Sequence, residues 1–453
     1  MHIGLHSLAP YFIYYGAIAA FLLSIFWKPQ IGLYFLVPLL PMQTARYWIH
    51  TFLFGEKLVD ILLLGVLIGL LVRKERPIFV FSPINKIILL FIGFIYLSLW
   101  QGAFYLGGDL PISVQDPRFS DWKNYVEMLA LFFIAAAAIR TKRQMYLIIG
   151  LMCLSVLLVN RDYYSTVGSR DFSQFSYELR DAGPLGYAGE NGMGAFQAEF
   201  AIFLIGLAVC ARKLVLKLGL CAVALTSIYC LELTLSRGSY LGFLVGIFII
   251  GLIKERKLLI VLLVILATWR AFVPNAVTQR VEMTYSDKEG LDSSAEERVG
   301  LWQDALQIIT QNPIIGITGT GFDTYQFMKR RSGYSDTHNY YVKVLLELGI
   351  VGFLAFLFLL RVVWKLSLRL YREAEDPFLS ALGCALFAMF GCTIVVNFFG
   401  DRWSYLQVNG FLWVLLGFMS RGLLMIKEQE QQPIAEEAEI PLSMSSAPEA
   451  FLG

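Results

Sequence analysis

Apolar runs of near-spanning length recur from the start of this chain to Met425, separated by short loops that carry its charge. One buried soluble helix can be apolar on every side, but a dozen of them cannot share a water-soluble core. Composition agrees. Hydrophobic residues make up 57% of the chain and charged residues 16%, with a mean hydropathy of +0.62, against about 25% charged in ordinary soluble domains. The expected fold is all-α, a polytopic transmembrane helical bundle with a long external loop containing an amphipathic helix. Thirteen apolar segments run from Leu8–Phe26 to Leu406–Leu424. The second, Ile31 to Met42, is short and bounded by prolines, which suits a re-entrant or broken segment, so the expectation is 12 or 13 spans.

Alternate short loops hold clusters such as Arg73/Lys74/Arg76, Arg140/Lys142/Arg143, Arg212/Lys213/Lys217, Lys254/Arg256/Lys257 and Arg361 to Arg372. By the positive-inside rule these face the cytoplasm and the intervening loops face outward. Residues 1–425 then form the transmembrane domain, including an external loop over 274–337, and 426–453 form a disordered acidic cytoplasmic tail. No cleavable signal peptide is expected, because the first run lacks a basic leader and a small-residue cleavage site. The net charge of +2 gives no reason to expect nucleic acid as a partner. All six cysteines fall in apolar stretches and read as small hydrophobes. No Walker motif, dinucleotide fingerprint, HExxH or internal repeat occurs.

Within the long loop, Ser294 followed by Glu297 fits a capping box, and Val299, Trp302, Leu306 and Ile309 form a stripe at helical spacing. Asn312-Pro313 should stop that helix before a glycine-rich turn at Gly316, Gly319 and Gly321. Arg237, in Ser236-Arg237-Gly238-Ser239, sits in a very short external turn, where a guanidinium must snorkel to lipid headgroups or pair with an anion such as a substrate phosphate. Arg298 lies in the first turn of the loop helix, either as a surface residue paired with Glu296 or Glu297 or as a second anion ligand. His338 stands where the loop re-enters the bilayer, and is either an interfacial hydrogen-bonding group or a base for an incoming hydroxyl. No second histidine or cysteine pair accompanies it at ligand spacing, so no metal site is expected. Glu190 and Asn191 lead into the seventh apolar run, with Glu199 inside it. Asp401 and Arg402 either pair with each other or line the mouth of the bundle.

Three segments carry a resemblance to a known family: Leu235-Ser-Arg-Gly-Ser; Glu297-Arg-Val-Gly-Leu-Trp-Gln-Asp-Ala-Leu leading into Asn312-Pro-Ile-Ile-Gly; and His338-Asn-Tyr-Tyr with Leu346-Glu-Leu-Gly-Ile-Val-Gly. In this order and spacing they resemble the O-antigen ligase family, a membrane group that also holds O-antigen polymerases and bacterial protein O-oligosaccharyltransferases. The glycine turn, Gly316-Ile-Thr-Gly-Thr-Gly, is looser than the usual Gly-x-Gly form.

The resemblance implies an undecaprenyl-diphosphate-linked glycan donor and metal-independent transfer of its anomeric carbon to a hydroxyl acceptor on lipid A core, a second lipid-linked glycan or protein. It implies Arg237 and Arg298 at the donor phosphates, His338 as the essential external histidine, and Arg280 and Asn191 as further substrate-binding residues. No cofactor is implied. The location implied is a bacterial inner membrane, with the active site on the periplasmic or external face. A lipid or glycan transporter and a noncatalytic membrane scaffold remain as alternatives from other classes.

Overall fold

The computed structural model describes residues 5–44, 47–49, 51–73, 82–112, 116–283, 285–286, 290–291, 293–328 and 336–438. Sixteen α-helices occur among them: α1 (Leu5–Phe26), α2 (Gln30–Leu39), α3 (Leu58–Val72), α4 (Pro83–Leu106), α5 (Pro117–Ala138), α6 (Lys142–Val167), α7 (Gly189–Cys210), α8 (Leu214–Leu233), α9 (Arg237–Ile253), α10 (Lys257–Thr268), α11 (Asn275–Glu282), α12 (Ser293–Gln311), α13 (Pro313–Thr318), α14 (Tyr340–Glu373), α15 (Pro377–Val396) and α16 (Leu406–Ala438). A two-residue antiparallel hairpin, β1 (Tyr285–Ser286) with β2 (Gly290–Leu291), interrupts them.

Apolar solvent cannot satisfy the first amide groups of a helix, so the starts are capped from within. Asp116 accepts from the Arg118 amide at 2.9 Å ahead of Pro117, and Asp376 caps α15 in the same way ahead of Pro377. Thr141 and Gln144 form a reciprocal capping box on α6, and Asn339 accepts from the Tyr341 and Val342 amides at the head of α14.

All thirteen apolar segments are helical, but the expected 12 or 13 spans are corrected: among the described residues 8 helices, or 9 if one bent pair counts as one, are long and apolar enough to cross a membrane. Length is the reason. A bilayer core of about 30 Å needs some 20 residues at 1.5 Å each. Helix α2 has 10 residues, α3 has 15 and α9 has 17. Helix α5 has 22, but its first half carries Arg118, Asp121, Lys123 and Glu127. Helix α10 has 12 residues, and the helix running to Ala271 meets α11 at 106°.

Helices α7, α15 and α16 form the buried centre, with α7 packed on α8, α9 and α15, and α16 on α5. Between lipid-embedded helices close packing replaces hydrophobic drive. Gly206 of α7 accordingly lies against the backbone of Ala385, where a methyl group would not fit. Reversals of direction gather the basic loops at one end, where Lys142 pairs with Asp376 and the Tyr371 hydroxyl donates to the Ile253 carbonyl at 3.0 Å. The starts of α5, α7, α9, α14 and α16 lie at the opposite end.

Helix α12 forms as expected and Asn312 ends it, its side chain capping α13 at the Ile314 amide (3.0 Å). The side chain of Ser294, on which the capping box depends, lies outside the described residues. The packed face is shifted from the expected stripe: Leu301 and Ala305 are buried while Leu306 is exposed, and Ala305 joins Tyr325 and Leu346 in a small core. The glycine turn inserts at the kink of α14, where Gly349 has φ 63°. Gly319 (φ 82°) and Gly321 (φ 113°) lie against backbone on both sides, so neither position admits a side chain. The Glu347 carboxylate accepts from the amides of Asp323 (3.0 Å) and Tyr325 (3.2 Å), so the Leu346–Gly352 motif anchors this turn.

All six cysteines are free, buried or half-buried. Helix α16 continues to Ala438, through the first part of the segment expected as a disordered tail, and 439–453 lie outside the described residues.

Candidate active site

The site is built around the turn from α8 to α9. Leu235 adopts φ 53°, a conformation that costs a bulky residue about 1–3 kcal/mol. Its side chain, 1% exposed, is held by Leu179, Ala276 and Val277, which keeps the strained turn in place. The turn starts α9 at Arg237, so the positive end of that helix opens into a cavity. Gly238 leaves room for the Phe399 ring. The Ser236 hydroxyl donates to Asn191 Oδ1 (2.9 Å), and Arg180 Nη2 donates to the same oxygen (2.7 Å). One amide oxygen thereby ties α7 and α9 to the loop before α7.

The cavity holds about 280 Å³ and is lined by Asn191, Arg237, Arg280, Arg298 and Arg402, with Leu241, Val396 and Phe399 on its apolar side. Asn191, Arg237, Arg280 and Arg298, proposed from the sequence, are thus brought together. Arg280, 3% exposed on α11, stacks over Phe175 (4.8 Å) and Tyr177 (5.2 Å). Arg298 is half-buried while Glu296 and Glu297 beside it are exposed. Arg402 donates to the Ala188 carbonyl (3.2 Å); it does not pair with Asp401, whose Oδ2 takes Lys343 Nζ at 3.0 Å. Lys343 also reaches Asp323 at 3.2 Å.

The electrostatics follow from this crowding. Burial, and then the charges of Arg237, Arg402, Arg280 and Arg180, push the Arg298 guanidinium down to about 10. Arg180 is lowered by burial and by Arg280 and Arg402, with Glu190 opposing. Five guanidiniums converge where a polyanion would relieve their repulsion. Beyond the cavity, exposed Leu241, Phe248 and Leu252 run along α9, an apolar path from the arginines into the lipid zone.

His338 does not line this cavity; two links hold it to the cavity's walls. Trp302, one turn beyond Arg298 on α12, donates from Nε1 to the Thr337 carbonyl (3.0 Å). His338 Nδ1 lies 3.4 Å from Asp336 Oδ2, which also accepts from the backbone amide of Asp401 (3.4 Å), the neighbour of Arg402. His338 has φ 52°, a region histidine enters more readily than most side chains. Burial would raise the Asp336 carboxyl, but the His338 hydrogen bond and the charges of Lys343, His338 and Arg402 outweigh it and hold the group well below the usual range. An ionised carboxylate therefore faces Nδ1 of the ring.

Sequence reasoning missed Arg180 and Asp336. Both lie in irregular loops where no periodicity marks an inward side, although Asp336 stands two residues before the histidine. Glu199 is buried in the middle of α7, away from these groups. Among the described residues no set of three or more His, Cys, Asp or Glu side chains could hold a metal ion.

No curated protein matches the chain. A family model does match part of it, and the matched stretch contains Arg237, Arg280, Arg298 and His338. Residues 222–357 match the family model described as O-antigen ligase.

Proposed function

We propose that this protein is a membrane glycosyltransferase that moves a glycan from an undecaprenyl-diphosphate donor to a hydroxyl acceptor. A membrane glycan-handling role follows from the helical bundle together with the O-antigen ligase match. The finer reading is carried by one observation: Arg237, Arg280, Arg298 and Arg402 line one cavity whose apolar side continues along α9. That arrangement suits a diphosphate joined to a long hydrocarbon chain.

In the reaction the acceptor oxygen attacks the anomeric carbon as the bond from that carbon to the phosphate oxygen breaks. The leaving electron pair remains on the diphosphate, where the guanidiniums stabilise it. The hydroxyl proton passes to His338 Nε2, with Asp336 holding the ring through Nδ1. A single displacement of this kind inverts the anomeric centre. The basic loops at the opposite end of the bundle orient the site outward by the positive-inside rule, toward the periplasmic or external face of a bacterial inner membrane.

The test is an in vitro reaction of purified protein with a synthetic undecaprenyl-diphosphate glycan and EDTA. Lipid A core, a second lipid-linked repeat and a pilin-like protein are offered separately as acceptors. Transfer to one of them identifies the acceptor class. A strict requirement for divalent metal would contradict leaving-group stabilisation by arginine alone. Movement of donor across vesicles without transfer would favour a transporter.

A further inference from the structure

A second cavity, of about 690 Å³, opens at the same end of the bundle and takes no part in the arrangement above except through its wall. We propose that it binds the acceptor as an uncharged saccharide terminus, so that donor and acceptor are sorted by charge into adjacent chambers; this rests on the transferase reading just given.

Position is the first argument. Asp401 lines this cavity, and the next residue, Arg402, lines the arginine cavity. Asp336, the carboxylate partner of His338, is also part of its wall. The residues that separate the chambers are therefore those that hold the histidine.

Chemistry is the second. Trp48, Phe322, Tyr187 and Tyr405 present rings, and Gln43 and Gln407 present amides, the Gln407 Nε2 donating to Gln43 Oε1 at 3.3 Å. Aromatic faces cover the apolar C–H faces of a sugar ring, while amides and carboxylates bond its hydroxyls. Trp48 is only 6% exposed, yet its indole N–H has no hydrogen-bond partner among the described residues, a donor waiting for an oxygen. Tyr187 is 90% exposed on the rim, displayed by a turn in which Gly186 and Gly189 both have positive φ.

Charge is the third. Seven carboxylates, among them Asp60, Asp121, Asp323 and Asp336, line the cavity against three lysines. Lys123 pairs with Asp60 (2.8 Å), and Lys343 with Asp323 and Asp401. Among the described residues no carboxylate lines the arginine cavity. A phosphorylated ligand is thus repelled from the second chamber and drawn to the first. No three of these acids form a set able to hold a metal ion.

The experiment is saturation-transfer NMR on the full chain in nanodiscs. The probes are N,N′-diacetylchitobiose, maltotriose and 6-phosphorylated maltotriose, with undecaprenyl diphosphate binding measured separately. With undecaprenyl diphosphate added to fill the arginine cavity, at least one neutral saccharide should bind, and should bind more tightly than phosphorylated maltotriose. Tyr187→Ala and Phe322→Ala should each weaken it about tenfold while leaving undecaprenyl diphosphate binding unchanged. Because Tyr187 is exposed, its variant tests the idea without threatening the fold. In Asp60→Asn/Asp121→Asn the discrimination against the phosphorylated sugar should shrink. The inference is overturned if no neutral saccharide binds, if Tyr187→Ala and Phe322→Ala leave binding unchanged, or if the phosphorylated sugar binds best. Failure of wild-type protein to bind undecaprenyl diphosphate would instead sink the donor reading, and the saccharide results would still decide the chamber.

Discussion

Replacing Arg298 by glutamine should stabilise the empty protein while weakening its hold on diphosphate. Its guanidinium is pushed from the ordinary 12.5 to about 10, first by burial and then by four neighbouring arginines. That depression corresponds to ~3 kcal/mol of unfavourable free energy for the charged form. For a cation lowered on folding, the whole penalty is present below pH 10 and fades only as pH rises through that value. Glutamine keeps a polar group but removes the charge. It also leaves a half-buried amide to be satisfied, so a net gain of roughly 1–2 kcal/mol is expected at neutral pH. Losing charge-assisted hydrogen bonds to a phosphate should cost roughly 1–3 kcal/mol of binding, about 5- to 150-fold in affinity. Thermal unfolding of purified protein, with and without undecaprenyl diphosphate, reads both effects. The midpoint of the variant should lie above wild type without ligand, and the ligand-induced rise should shrink. A variant less stable without ligand and equally stabilised by it would refute the view that this arginine cluster is strained for the sake of an anion.

Arg237→Lys keeps the charge but loses the planar fork, so undecaprenyl diphosphate affinity in detergent should fall by roughly 1–3 kcal/mol; unchanged affinity would make Arg237 a headgroup anchor. His338→Ala should lower transfer by about 10² to 10⁴ while donor binding stays near wild type, and full turnover by this variant would remove the base assignment. Asp336→Asn should lower kcat and alter its pH profile with little change in donor affinity, since it acts through the orientation of His338. Single cysteines at Ser176 and Lys213, labelled in intact cells with a reagent that cannot cross the inner membrane, should react at position 176 and stay protected at 213; the reverse pattern would invert the topology.

Hydropathy located every apolar helix but not the number that cross, because a run such as Lys257–Thr268 reads as a span until the bend into α11 is seen. The helix in the long loop was legible from its caps and spacing. Its packed face was not, since Leu301 and Ala305 are buried, Ala305 against the start of α14, while Leu306 stays exposed. Arg237 and Arg298 stood out because cations beside apolar segments need a reason, Arg280 came only from the family resemblance, and the cavity brings the three together. Arg180 and Asp336 did not, because tertiary contacts alone distinguish an inward loop residue from an exposed one. Asp401-Arg402 illustrates the same limit. Adjacent opposite charges suggest a pair, yet the chain turns them into different cavities, one toward Lys343 and the other toward the arginines.

The central claim is that the arginine cavity holds a lipid-linked diphosphate. A cryo-electron microscopy map of the wild-type protein with undecaprenyl diphosphate tests it most directly. The account predicts phosphate density contacting Arg237, Arg280 and Arg298, with the hydrocarbon chain following the α9 face past Leu241 and Phe248. Diphosphate density elsewhere, with the arginine cavity unaltered, would contradict it.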